Sequence, residues 1–126
     1  MNINETFDLQ TIKNLKSILS ITSPKIVLST AWRLYPKHKK TLIEELEKHG
    51  IPRQLIIGET PNLSLVGKGR ESEILYWVNQ HKNRINKWVA IDDLNLKLPS
   101  SNFVRTSFIT GLTNDLAGEV ISKLIF

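Results

Sequence analysis

Short runs of apolar, mostly branched side chains alternate along this chain with stripes of apolar residues at helical spacing. That alternation constrains the fold more than any other feature, because strands and helices in turn build a parallel sheet covered by helices. Leu9, Ile12, Leu15, Ile18 and Leu19 predict a helix over about residues 8–21, with Asp8 near its N-cap, and Ser23-Pro24 ends it. Residues 25–30 read as a strand buried on both faces. Leu42, Ile43 and Leu46 form one face of a helix over 36–49, and Gly50 stands where a left-handed cap belongs. Residues 54–57 give a second strand that ends at Gly58, and Pro61, Gly67 and Gly69 mark 59–69 as loop. Ile74, Leu75, Trp77 and Val78 mark a helix over 70–82. Strands follow at 87–92 and 103–106, separated by a loop over 94–102, and Thr113 caps a last helix reaching about Ile125. The expected fold class is α/β: a small three-layer unit with about four mostly parallel strands and helices on both faces.

The 126 residues suit one domain, expected to span 1–126, since domains run to roughly 100–200 residues. Cysteine is absent, which excludes disulfides, thiolate metal sites and a cysteine nucleophile within this sequence. No apolar run approaches the roughly 18 residues of a membrane span, and residues 1–10 lack the apolar stretch of a signal peptide. A soluble, cytoplasmic protein with no membrane partner is expected. Seventeen Lys and Arg against twelve Asp and Glu leave a net charge of +5, an excess that attracts phosphates and nucleic acid.

In parallel α/β sheets, functional residues collect at the carboxyl ends of strands. Asp92-Asp93 ends the third strand, where two adjacent carboxylates either hold a hard cation such as magnesium or shape a turn. Ser29-Thr30 ends the first, with hydroxyls suited to a phosphate oxygen or to turn chemistry. Lys68 and Arg70 stand at a helix start, where cations are unfavourable unless an anion is near or a surface pair with Glu71 or Glu73 forms. Trp32 reads as a core aromatic. Arg33 reads as a phosphate or base contact, or as the partner of a strand-end carboxylate. With Lys37, Lys39 and Lys40 it forms a candidate nucleic-acid contact beside Tyr35. The three histidines lack metal-ligand spacing, and no P-loop or GxSxG motif is present.

In order, 26–33 (IVLSTAWR), 57–61 (IGETP), 69–74 (GRESEI) with Trp77, 89–93 (VAIDD), 103–106 (FVRT) and 110–113 (TGLT) resemble one family. It is the haloacid dehalogenase-like (HAD) phosphatase-fold domain, of the type found in Swiss-army-knife RNA-repair proteins. The resemblance runs from about Phe7 to the C-terminus and implies a Rossmannoid core. It implies a magnesium-dependent phosphatase acting on nucleic-acid ends or small phosphoesters. Ser29 or Thr30 and Arg70, with Lys68 second, would hold the phosphoryl group, and Asp92 and Asp93 would hold Mg2+.

The family's reaction begins with the first Asp of a D-x-D motif, which attacks phosphorus. No D-x-D occurs in this sequence, and residues 1–6 hold no apolar run, so no catalytic residue is assigned. In the family fold the strand bearing that motif is central, between the strands of Ile26 and Val89. Its loss leaves unpaired backbone on both neighbours. Three outcomes are expected: direct pairing of those neighbours, a partner chain filling the gap as a homo-oligomer or by strand exchange, or an N-terminally truncated domain. The function expected is a truncated or degenerate HAD-like phosphohydrolase domain, inactive alone, with Mg2+ binding weak or lost. The rival is a non-catalytic module whose basic surface binds nucleic acid or protein.

Overall fold

A computed structural model describes residues 9–107 and 109–126. Among the described residues four helices and four short strands follow one another in the expected order: α1 (Leu9–Thr22), β1 (Ile26–Leu28), α2 (Pro36–Lys48), β2 (Ile56–Glu59), α3 (Arg70–Gln80), β3 (Ala90–Asp92), β4 (Phe103–Arg105) and α4 (Asn114–Ile125). The strands pair in parallel, β1 with β2 and β3 with β4, so the molecule is of the α/β class. The chain divides into two compact units, one formed by residues 25–81 and the other by the N-terminal helix with residues 82–126.

In the first unit a β–α–β crossover joins β1 to β2 through α2. Ile26 lies opposite Ile56 and Val27 opposite Gly58, with a register irregularity between the two pairs. The pairing is extended past the strand end where Thr60 N donates to the Leu28 carbonyl at 2.9 Å. Pro36 starts α2, where a missing N–H costs nothing. At its other end Gly50 N donates to Glu47 O and Ile51 N to Leu46 O. That double closure demands a left-handed residue, and Gly50 has φ of 88°. Ile51 is fully buried, and Leu42 and Leu46 nearly so, which seats one face of α2 in this unit's core.

In the second unit the core gathers Ile18 of α1, Val104 of β4, Leu112, and Ala117 and Val120 of α4. Leu15, Val89 and Leu124 pack around it. Asn14, buried on α1, donates from Nδ2 to the Leu112 carbonyl at 2.9 Å and so pins the segment entering α4. Thr113 Oγ1 accepts from Leu116 N, the cap its position predicts. Asp92 faces Arg105 across the β3–β4 register.

The strands are shorter than expected: 26–28 rather than 25–30, and 90–92 rather than 87–92. Apolar character outruns pairing at both, because Ser29-Thr30 turn into a 3-10 segment, Ala31–Leu34, and residues 87–89 precede the ladder. Likewise the 59–69 loop holds a 3-10 turn, Ser64–Val66. Direct pairing of β1 with β3 is not among the strand pairs of the described residues. The segment before α1, on which the question of a first strand and the cap expected of Asp8 both fall, lies outside those residues. Among the described residues no helix is long and apolar enough to cross a membrane.

Candidate functional site

The end of β1 is organised by a buried arginine. Ser29 and Thr30 leave the strand, and Thr30 Oγ1 caps the following 3-10 segment by accepting from Trp32 N at 2.9 Å. One turn later the Arg33 side chain points inward, only 2% exposed. Its Nη1 donates to the Ser29 and Thr30 carbonyls at 3.0 and 2.7 Å. Its Nε donates to Thr60 O at 2.9 Å, and Nη2 to Pro61 O and Glu73 Oε1, both at 3.0 Å. A guanidinium offers five donors in a fixed fork, and this geometry satisfies that fork from two stretches of backbone and one carboxylate. The other Glu73 oxygen accepts from Leu63 N at 2.8 Å. The pair therefore ties the end of β1, the loop after β2 and the first turn of α3 into one rim.

This corrects two expectations. Arg33 is interior and its donors are engaged, so a contact with nucleic acid through it is displaced by a structural tie. Its carboxylate partner comes from α3, not from a strand end. Glu73, expected as a surface partner of Arg70, is buried and belongs to Arg33 instead. Sequence reasoning missed the Arg33–Glu73 pair because 40 positions separate the two residues and no local spacing signals it.

The candidate phosphate ligands Ser29, Thr30, Lys68 and Arg70 all belong to the first unit. Ser29 and Thr30 are half-buried at the strand end, and Ser29 Oγ makes no hydrogen bond to another described residue. Arg70 opens α3, one turn before Glu73, and is half-buried. Gly69 caps that helix without a side-chain hydrogen bond, and Glu71 and Glu73 lie in its first turn, where carboxylates favour the helix dipole. Lys68 is exposed beside Gly67, which takes the left-handed φ of 74°.

Among the basic residues of α2, Lys37 and Lys40 are exposed. Lys39 is half-buried and forms an ion pair with Glu59 at the end of β2. Lys40 lies 3.9 Å from Glu44, an exposed pair of small energetic consequence.

Asp92 and Asp93 end β3 in the second unit. Asp92 is buried, and its Oδ1 accepts from Leu94 N at 2.9 Å, an Asx turn. Arg105 Nε donates to the Asp93 carbonyl at 3.1 Å, holding the turn against β4. Oxygen donors of this kind suit magnesium, which takes one or two carboxylates and fills its octahedron with water or phosphate. No group of three or more acidic, His or Cys side chains placed to hold a metal occurs among the described residues.

One feature of α3 had a legible signal. Trp77 and His81 stand four apart on one helix face, and their rings stack with centroids 3.9 Å apart and planes inclined by 17°.

No curated protein and no solved structure matches the chain. A family model does match, over residues 1–117, and with nearly its whole length covered the chain belongs to the family described as the HAD domain in Swiss Army Knife RNA repair proteins.

Proposed function

We propose that these residues form a degenerate HAD-like phosphohydrolase domain that holds a phosphate ester at the β1–α3 rim without turning it over alone. The observation that carries this reading is the Arg33–Glu73 tie, which fixes the Ser29-Thr30 strand end to the first turn of α3, where Arg70 begins. Ser29 Oγ would donate to a phosphoryl oxygen, and Arg70 and the more exposed Lys68 would supply charge. Asp92 and Asp93, at the end of β3 in the second unit, are the residues that would hold magnesium. The covalent route needs an aspartate nucleophile in a D-x-D motif, which these 126 residues lack.

The rival, a binding module with a basic surface, is weakened by the burial of Arg33 and the pairing of Lys39, which leave Lys37 and Lys40 as the exposed cations of that run.

Titration calorimetry with inorganic phosphate, alongside an aryl-phosphate assay in magnesium, tests the proposal. Weak phosphate binding that Arg70→Ala removes, with no turnover, is expected. Turnover abolished by Asp92→Asn would show a competent enzyme and overturn the inactivity. Phosphate binding indifferent to Arg70→Ala would remove the site.

A further inference from the structure

A cleft on the first unit, apart from the phosphate ligands, has its own chemistry. It encloses roughly 400 Å³ between Leu34, the residues following β2 and the second half of α3. That volume falls within the range of about 300–1,000 Å³ typical of small-molecule sites. Trp77, His81, Tyr76, Gln80 and Asn62 all line it, Tyr76, Gln80 and Asn62 being exposed.

The stacked Trp77–His81 pair is held in place. A Cβ at Gly58 would lie 3.4 Å from Trp77 Nε1, so the bare backbone there lets the indole approach β2 closely. Its partner ring is held as well, because His81 Nδ1 lies 2.7 Å from the Trp77 carbonyl. A carbonyl only accepts, so Nδ1 carries the hydrogen, and Nε2 of the neutral ring is left as an acceptor. The Asn62 Oδ1 accepts from Ser64 N and Oγ, which fixes the amide and leaves its NH2 group to donate. Tyr76 is half exposed and Leu34 39% exposed, so a ring surface and an aliphatic surface face solvent at the same cleft.

We propose that this cleft binds a nucleobase, stacked on the aromatic side chains and read along its edge by His81, Asn62 and Gln80. Stacking needs a flat π-face, which every base presents. The fixed acceptor and amide donors require a ring with polar edge groups, since a purely apolar ring would desolvate them without return. The proposal stands independently of phosphate binding at the β1–α3 rim.

The test follows the indole N–H resonance of Trp77, assigned with Trp77→Phe, during titration with adenosine, cytidine, their monophosphates and a short single-stranded oligonucleotide. A saturable shift with nucleosides is expected, weakened roughly tenfold by Tyr76→Ala and by Gln80→Ala. Both replaced residues are exposed, so the variants should keep the wild-type melting temperature. Tighter binding of the oligonucleotide than of the monophosphate would assign the base to a nucleic-acid strand, and equal binding to a free nucleotide. No saturable shift, a shift unchanged in both variants, or a stronger response to N-acetyltryptophanamide than to any nucleoside would overturn the proposal.

Discussion

Arg33 Nη2 lies 3.0 Å from Glu73 Oε1, with the two side chains only 2% and 9% exposed. A buried pair of this kind is costly to break from one side, because the remaining charge keeps its desolvation penalty and loses its partner. Its role here is geometric: it joins two backbone segments and a helix that the sequence leaves far apart.

Removing the carboxylate should therefore be severe. Glu73→Ala leaves a guanidinium with four carbonyl partners and no counter-charge, and should destabilise the protein by about 3–5 kcal/mol. Chemical denaturation measures this. Glu73→Gln keeps an acceptor and should cost less, and the double change Arg33→Met with Glu73→Leu should recover part of the loss. A loss under ~1 kcal/mol for Glu73→Ala would mean that the pair contributes no more than a surface bridge.

The second unit has a comparable single point of failure in Asn14. Its Nδ2 satisfies the Leu112 carbonyl, and Leu112 is itself a core residue. Asn14→Leu should cost about 1–3 kcal/mol, because a buried acceptor is left unpaired while the added apolar contact recovers little. Thermal unfolding monitored by circular dichroism would check it. Thr113→Ala, which removes only the α4 cap, should cost about 1 kcal/mol.

Element order was legible because periodicity is a local property. Helices α1 to α4 fall within a residue or two of where the stripes of Ile12, Leu46, Ile74 and the Thr113 cap put them. Strand ends were less legible. Residues 87–89 carry the apolar signal of a strand, but pairing depends on what lies alongside, which spacing does not encode. The candidate site divides in the same way. The rule that strand ends carry function singles out Ser29 and Thr30 as candidates, and an unfavourable place at a helix start singles out Arg70. Arg33 does pair with a carboxylate, one of its two readings, but with Glu73 on α3 rather than at a strand end, since an arginine's type does not say whether its fork will meet solvent or backbone. Glu73, its partner, is found only once β1 and α3 are brought together.

The exposed pair of Glu47 and Arg53 gives a pH signature. Its hydrogen bond to Arg53, at 2.7 Å, holds the Glu47 carboxyl below its usual 4.5, against a smaller opposing effect of desolvation. A carboxyl depressed in the folded state adds stability above its unfolded value, and that contribution fades as pH falls through the folded value. Carboxyl carbon NMR should show Glu47 titrating below 4.5. Arg53→Ala should raise its midpoint toward 4.5 while leaving stability near neutral pH almost unchanged.

Asp92 separates structure from charge. Its Oδ1 closes a turn with Leu94 N, a task that an amide oxygen performs as well as a carboxylate. Asp92→Asn keeps that acceptor and should therefore unfold closer to wild type than Asp92→Ala, which removes it and should lose at least about 1 kcal/mol. A cation held at this turn would draw on the charge as well as the oxygen. A ligand that binds the folded state raises its stability in proportion to the logarithm of its concentration over its dissociation constant. Millimolar magnesium should raise the melting temperature of the wild type slightly and that of Asp92→Asn not at all, with the same experiment in calcium reporting whether the site prefers the smaller ion. Equal responses in both proteins would show that the two carboxylates shape the β3 turn and hold no metal.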